Sequence, residues 1–161
     1  MGMHGVLITL SPKRLAQIEE DPETLDDVLD ARHETEIPGL LDVGKVWDAL
    51  DVILSERGKD AILGDALLAR TGRPIGNDQS IESCRLLAPP RVAEVALRLE
   101  SLAPTHVKEK YPTLSGAKVH GKFGETPDDE EREGLEIVLS RVIAFYRDAA
   151  KQKHSVLVVI E

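Results

Sequence analysis

The chain has 161 residues, 42% of them hydrophobic and only 3% aromatic, and its 20 basic and 29 acidic side chains leave a formal net charge of −9. A single domain over residues 1–161 is the simplest organisation, because a chain of this length buries about 70% of its unfolded surface and needs no disulfide or metal staple. The charge excludes a general nucleic-acid binder, which displaces counterions with Lys and Arg, and the aromatic shortage removes a base-stacking platform.

In chain order, Val6-Leu7-Ile8-Thr9-Leu10 reads as a strand buried on both faces. Ser11-Pro12 starts a helix through Leu15 and Ile18, with serine as cap and proline at the first position. Asp21-Pro22 interrupts it; Thr24 reads as a second cap, followed by Leu25, Val28 and Leu29 at helical spacing up to Ile37-Pro38-Gly39. A third helix is expected to start near Asp42 and to carry Val46, Trp47, Leu50, Ile53 and Leu54 on one stripe, ending at Gly58-Lys59. Residues 60–70 are apolar and helix-compatible, and 71–78 is a loop dense in turn formers. Cys84-Arg85-Leu86-Leu87 reads as a short strand leading through Pro89-Pro90 into a helix with Val92, Val95, Ala96, Leu99 and Leu102, on which Glu94 and Arg98 can pair. Residues 112–127 read as loop, 128–152 as a long helix whose acidic start and basic end suit its dipole, and residues 155–160 as a second buried-type strand. Two apolar terminal strands bracketing helices imply an α+β fold, a small sheet that includes both terminal strands and is covered by several helices.

The single Cys84 excludes an internal disulfide, and the opening residues lack the basic and long apolar regions of a signal peptide, so a reducing cytoplasm is the expected compartment. No stretch approaches the roughly 18 apolar residues of a membrane span. Gly2 does not make a myristoylation site, because Val6 stands where Ser or Thr is required. Five histidines, at 4, 33, 106, 120 and 154, show no metal-type spacing, and neither a metal nor a cofactor is expected. Ser115-Gly116-Ala117-Lys118 matches S-x-x-K, but it lies in a Gly/Pro-rich loop without the accompanying motifs of that chemistry.

Three residues are candidates for a small-ligand site. Trp47 on its stripe reads as a core anchor whose indole N–H needs an acceptor. Asp48 beside it either lines a cleft or faces solvent as a cap. Arg85 in an apolar strand must be paired, either to a ligand carboxylate or to an acidic helix. Cys84 beside it reads as a small buried hydrophobe.

The strongest signal is acidic clustering. Residues 19–36 carry nine acids and one Arg, and residues 125–136 carry seven acids and one Arg. The remainder of the chain is therefore net positive. Charge runs are usually solvated helix faces; the functional reading is an anionic surface that steers a basic partner. Its candidate residues are Glu19, Glu20, Asp21, Glu23, Asp26, Asp27 and Asp30 in the first segment and Asp128, Asp129, Glu130, Glu131 and Glu133 in the second.

Met1-Gly2-Met3 with its following strand, Lys45-x-Trp47-Asp48-x-Leu50, Arg85-x-Leu87 leading through Pro89 into its helix, Phe145-Tyr146-Arg147 and the closing strand occur in an order that resembles the YfbM-like family of bacterial proteins, a domain of unknown function. The resemblance covers most of the chain and implies a compact α+β fold without assigning catalytic residues. Ala88 departs from it by standing where a capping Thr is usual, at about 1 kcal/mol of helix start, and residues 115–127 lack a Glu-Ile-Tyr-Pro-like segment.

The expected function is that of a non-catalytic cytoplasmic binding protein, such as an immunity-type protein, engaging a basic protein partner. The alternative is a small anionic-ligand binder or enzyme with a pocket near Trp47, Asp48 and Arg85. Self-association through an apolar helix face is a third possibility.

Overall fold

The two terminal apolar runs pair with each other. In a computed structural model describing residues 3–75 and 83–161, β1 (Gly5–Leu10) and β5 (Ser155–Ile160) are antiparallel, with Gly5 opposite Ile160 and Leu10 opposite Ser155. With β2 (Leu40–Gly44), β3 (Arg73–Pro74) and β4 (Ser83–Leu87) they form a five-stranded sheet of order β2-β1-β5-β4-β3, antiparallel throughout. Met1, Gly2 and the expected loop residues Gly76, Asn77 and Asp78 lie outside the described residues.

Period-two alternation divides the strand side chains between two cores. Val6, Ile8, Leu86, Leu157 and Val159 face a smaller one, closed by Ile18 of α1 (Pro12–Glu20) and by Leu25 and Leu29 of α2 (Glu23–Ala31). Leu7, Leu87, Val156, Val158 and Ile160 face a larger one, covered by α3 (Trp47–Ser55), α4 (Pro89–Glu100) and, after the short α5 (His106–Lys110), the long α6 (Asp129–Lys151). Helices on both faces are what strands without polar alternation require. All six β5 residues are buried, and each fully buried Val, Leu or Ile contributes roughly 1.5–3 kcal/mol, so the central strand anchors both cores. The architecture is α+β.

Helix ends follow local chemistry. Ser11 Oγ accepts from the Arg14 N–H at 3.2 Å with Pro12 at the first helical position, and Asp128 accepts from the Glu130 N–H at 2.9 Å at the start of α6. Ala88 precedes α4 without a side-chain cap. Thr24 is not the cap of α2: it lies inside the helix, and Asp21 Oδ1 takes the Glu23 N–H at 3.2 Å instead.

Four further expectations are corrected. The third helix starts at Trp47 and not near Asp42, because residues 40–44 pair with β1, with Leu40 opposite Ile8 and Leu41 opposite Leu7. Gly5 permits the junction: a Cβ there would stand 2.9 Å from both Trp47 Cβ and Val43 Cγ2. Residues 60–70 are not a helix beyond a three-residue 3-10 turn, Leu63–Asp65. The fully buried Asp65 winds the chain around itself, accepting from the Thr71 N–H at 2.8 Å, the Thr71 hydroxyl at 2.6 Å and Arg91 Nε at 2.6 Å. Residues 111–116, at the start of the expected loop, form a second 3-10 turn. The expected Glu94–Arg98 pair is replaced: Arg91 takes Glu94 at 3.1 Å, and Arg98 reaches Asp60.

Candidate functional site

Trp47 and Asp48 open α3, where the sheet ends near Gly5. Trp47 is 8% exposed; its indole N–H donates to Met3 O at 3.1 Å, and its ring stacks on His120 at a centroid distance of 5.7 Å. His120 Nε2 in turn accepts from the Met3 N–H at 3.0 Å, which places its remaining ring proton on Nδ1. Asp48 is neither solvated nor only a cap. It is buried, accepting from the His120 N–H at 2.8 Å and pairing with Arg57 Nη1 at 3.3 Å. Arg57 Nη2 also donates to Ala117 O at 2.9 Å, so Asp48 and Arg57 together hold residues 117–120 against α3. His120 had no signal in the sequence beyond being one of five scattered histidines.

Arg85 lies on β4, two strands along from β1, on the larger-core side opposite Val158. Among the described residues it meets no acidic helix. Nε donates to Ala69 O at 3.2 Å and Nη2 to Gly72 O at 2.6 Å, tying the irregular 69–72 stretch to the sheet. Cys84 faces the smaller core, where burial, with a lesser contribution from the Asp26 charge, pushes its thiol up to about 11.

The two acidic segments sit on opposite faces of the sheet, since α2 closes the smaller core and α6 the larger. With Ile18, Leu25 and Leu29 turned inward, Glu19, Glu20, Asp21, Glu23, Asp27 and Asp30 are exposed and Asp26 is half-buried. Glu19 pairs with Arg73 across to β3. The α6 segment is more internally engaged. Asp128 caps the helix, Asp129 pairs with Arg132 at 3.1 Å, and Glu131 accepts from the Tyr111 hydroxyl and the Gly124 N–H, each at 2.6 Å. Burial, reinforced by the bond to Glu131, raises the Tyr111 pKa. Glu130 and Glu133 remain exposed.

A cleft of about 430 Å³ opens at the C-terminal end of α3, a place the sequence did not single out. Ile53, Leu54, Leu63 and Leu102 supply apolar lining, and Lys59, Arg98 and Lys110 bring positive charge beside Glu56 and Asp60. His106 Nε2 donates to Ile53 O at 2.9 Å, satisfying a helix-end carbonyl of α3. Burial opposes ionisation of Asp60. The Leu63 N–H, the Arg98 guanidinium and the Ile62 N–H outweigh it and hold the carboxyl below its ordinary range. Among the described residues, no three His, Cys, Asp or Glu side chains are grouped to hold a metal ion, and no helix is long and apolar enough to cross a membrane.

No curated protein matches the chain. Among solved structures, it is similar to YfbM from Escherichia coli, described as a protein of unknown function, with 20% identity over 98% of this chain and 99% of that one and a TM-score of 0.69. That likeness speaks to the fold. A family model, Domain of unknown function (DUF1877), matches residues 1–159, and the chain belongs to this family, the YfbM-like domain of unknown function.

Proposed function

We propose that the protein is a non-catalytic binding protein that engages a basic protein partner through the outer face of α1 and α2, in the manner of an immunity-type protein occluding a cationic site. The observation that carries this reading is the acidic excess of that face: the ionisable side chains of α2 are all acidic, and the exposed Lys13 and Arg14 sit only at the start of α1. Glu20, Glu23, Asp27 and Asp30 are all exposed on it, backed by a fully apolar inner side. Anionic surfaces of this kind accelerate encounter with cationic partners and suppress wrong ones. The α6 segment contributes less, because Asp128, Asp129 and Glu131 serve their own helix and its neighbouring turns. The lone thiol suits a reducing cytoplasm, which is the compartment proposed. The alternative of an anionic ligand at Trp47, Asp48 and Arg85 is less well supported, since Trp47 Nε1, both Asp48 oxygens, and Arg85 Nε and Nη2 bond to the chain itself.

The test is purification of the tagged full chain from its host, followed by binding kinetics with the recovered partner. The association rate should fall at least about ten-fold between low and high salt and fall similarly in the E23K/D27K/D30K variant. An association rate indifferent to salt and to that variant removes the reading.

A further inference from the structure

The cleft at the end of α3 has properties that partner binding on α1 and α2 does not use. The first is its charge. Three cations and two carboxylates line it, so the concavity is net positive on a chain of net −9. The second is how loosely Glu56 and its two lysines are paired. Glu56 meets Lys59 at 3.6 Å and Lys110 at 3.5 Å, with Glu56 50% and Lys59 80% exposed. Exposed pairs of this length are weak and readily exchanged for another anion. Arg98 reaches Asp60 through Nη2, and a guanidinium carries five N–H donors in a fork that matches a carboxylate.

The third is the backbone. Glu56 and Arg57 are consecutive non-glycine residues with φ of 51° and 59°, ahead of Gly58 at 92°. Left-handed backbone is unfavourable for side chains with a Cβ and persists where surrounding bonds enforce it. Here Arg57 is drawn to Asp48 and Ala117, away from the cleft, and the Gly58 N–H donates to Ser55 Oγ at 2.9 Å. The turn so enforced places Glu56 and Lys59 at the cleft beside Lys110. Finally, the volume falls within the usual range for small-ligand sites, which combine apolar lining with a few polar groups that fix orientation.

We propose that this cleft binds a small amphipathic anion, a carboxylate with a short hydrocarbon body. The carboxylate lies between Arg98 and Lys110, and the hydrocarbon lies on Leu63 and Leu102. This site is independent of the acidic face.

The experiment is an NMR titration of the full chain with hexanoate, with hexylamine and inorganic phosphate as comparisons. Hexanoate should shift the Leu63 and Leu102 methyl signals and the Arg98 side-chain signal saturably, and hexylamine should not. R98Q and, separately, K110Q should each weaken hexanoate about ten-fold, while E23K/D27K/D30K leaves it unchanged. K110Q keeps the test decisive if R98Q disturbs the Asp60 turn. Shifts that do not saturate, that hexylamine reproduces, or that survive both variants overturn the proposal. Phosphate binding as tightly as hexanoate does so too, because it assigns no role to the apolar lining.

Discussion

Arg70 lies bidentate on Asp51, with Nη1–Oδ1 at 2.7 Å and Nη2–Oδ2 at 2.6 Å, and the Asp51 side chain is wholly buried. Ser55 Oγ adds a bond to Asp51 Oδ1 at 2.9 Å, and Arg70 Nη1 also holds Gly64 O at 2.8 Å. The bond to Asp51 raises the arginine pKa, against its own burial. This pair fastens the irregular 60–72 stretch to α3. Arg70→Ala leaves a buried carboxylate without its counter-charge and is expected to destabilise by about 3–5 kcal/mol. The apolar double change Asp51→Leu/Arg70→Met is expected to cost less than that single one. Urea unfolding of the variants measures both.

Tyr146 is fully buried in the larger core, and its hydroxyl donates to Ala66 O at 2.6 Å. Burial, with a smaller effect of the Asp65 charge, raises its pKa and keeps the donor protonated. Tyr146→Phe strands the Ala66 carbonyl. The expected loss is about 1–3 kcal/mol, with faster hydrogen exchange in residues 63–69 than in β5.

Cys84 should resist thiol reagents. With its pKa pushed from 9.0 up to about 11, little thiolate exists at neutral pH, and thiolate is the reactive form. Alkylation at pH 8 is expected to be slower in the folded chain than in urea. The sign of the stability effect follows from the raised value. Folding retains a proton that the unfolded chain releases, so this contribution is full below pH 9 and is lost as pH rises toward 11. Cys84→Ser should flatten that alkaline slope in a pH series of unfolding curves.

Asp60 acts in the opposite direction. Its carboxyl is held below 3.8, so its contribution is present above that value and is lost as pH falls below it. Its Oδ1 also accepts from the Ile62 and Leu63 N–H groups at 3.1 and 3.0 Å. Asp60→Asn keeps an acceptor for the turn and should remove this acid-side dependence. Asp60→Ala removes the acceptor as well and should cost about 1 kcal/mol more. Acid and urea titrations of the two variants separate the effects.

The elements legible in the sequence were those whose signal is local. An unbroken aliphatic run marked β1 and β5, a serine–proline pair marked the start of α1, and helical spacing marked α4 and α6. β2 was not legible, because residues 40–44 carry three aliphatics around an aspartate and become a strand only by bonding to β1. Residues 60–70 looked helical from their apolar content, but only Leu63–Asp65 form a 3-10 turn, Ala69 turns left-handed at φ 47°, and the Asp65 carboxylate takes the Thr71 N–H just beyond them.

The candidate site residues divide in the same way. Trp47 was recognisable as a core anchor from its stripe. The sequence also located the acidic runs and, from their inward stripes, which side of each helix meets solvent. Only the tertiary structure decided that the two runs face away from each other across the sheet, that Asp48 is buried, and that a positive cleft forms at the end of α3. The bonds responsible span 72 residues for Asp48–His120, 60 for Arg57–Ala117 and 38 for Arg98–Asp60. Periodicity and capping act within a few turns of chain, whereas partners for buried charge are supplied by whichever segments the two cores press together.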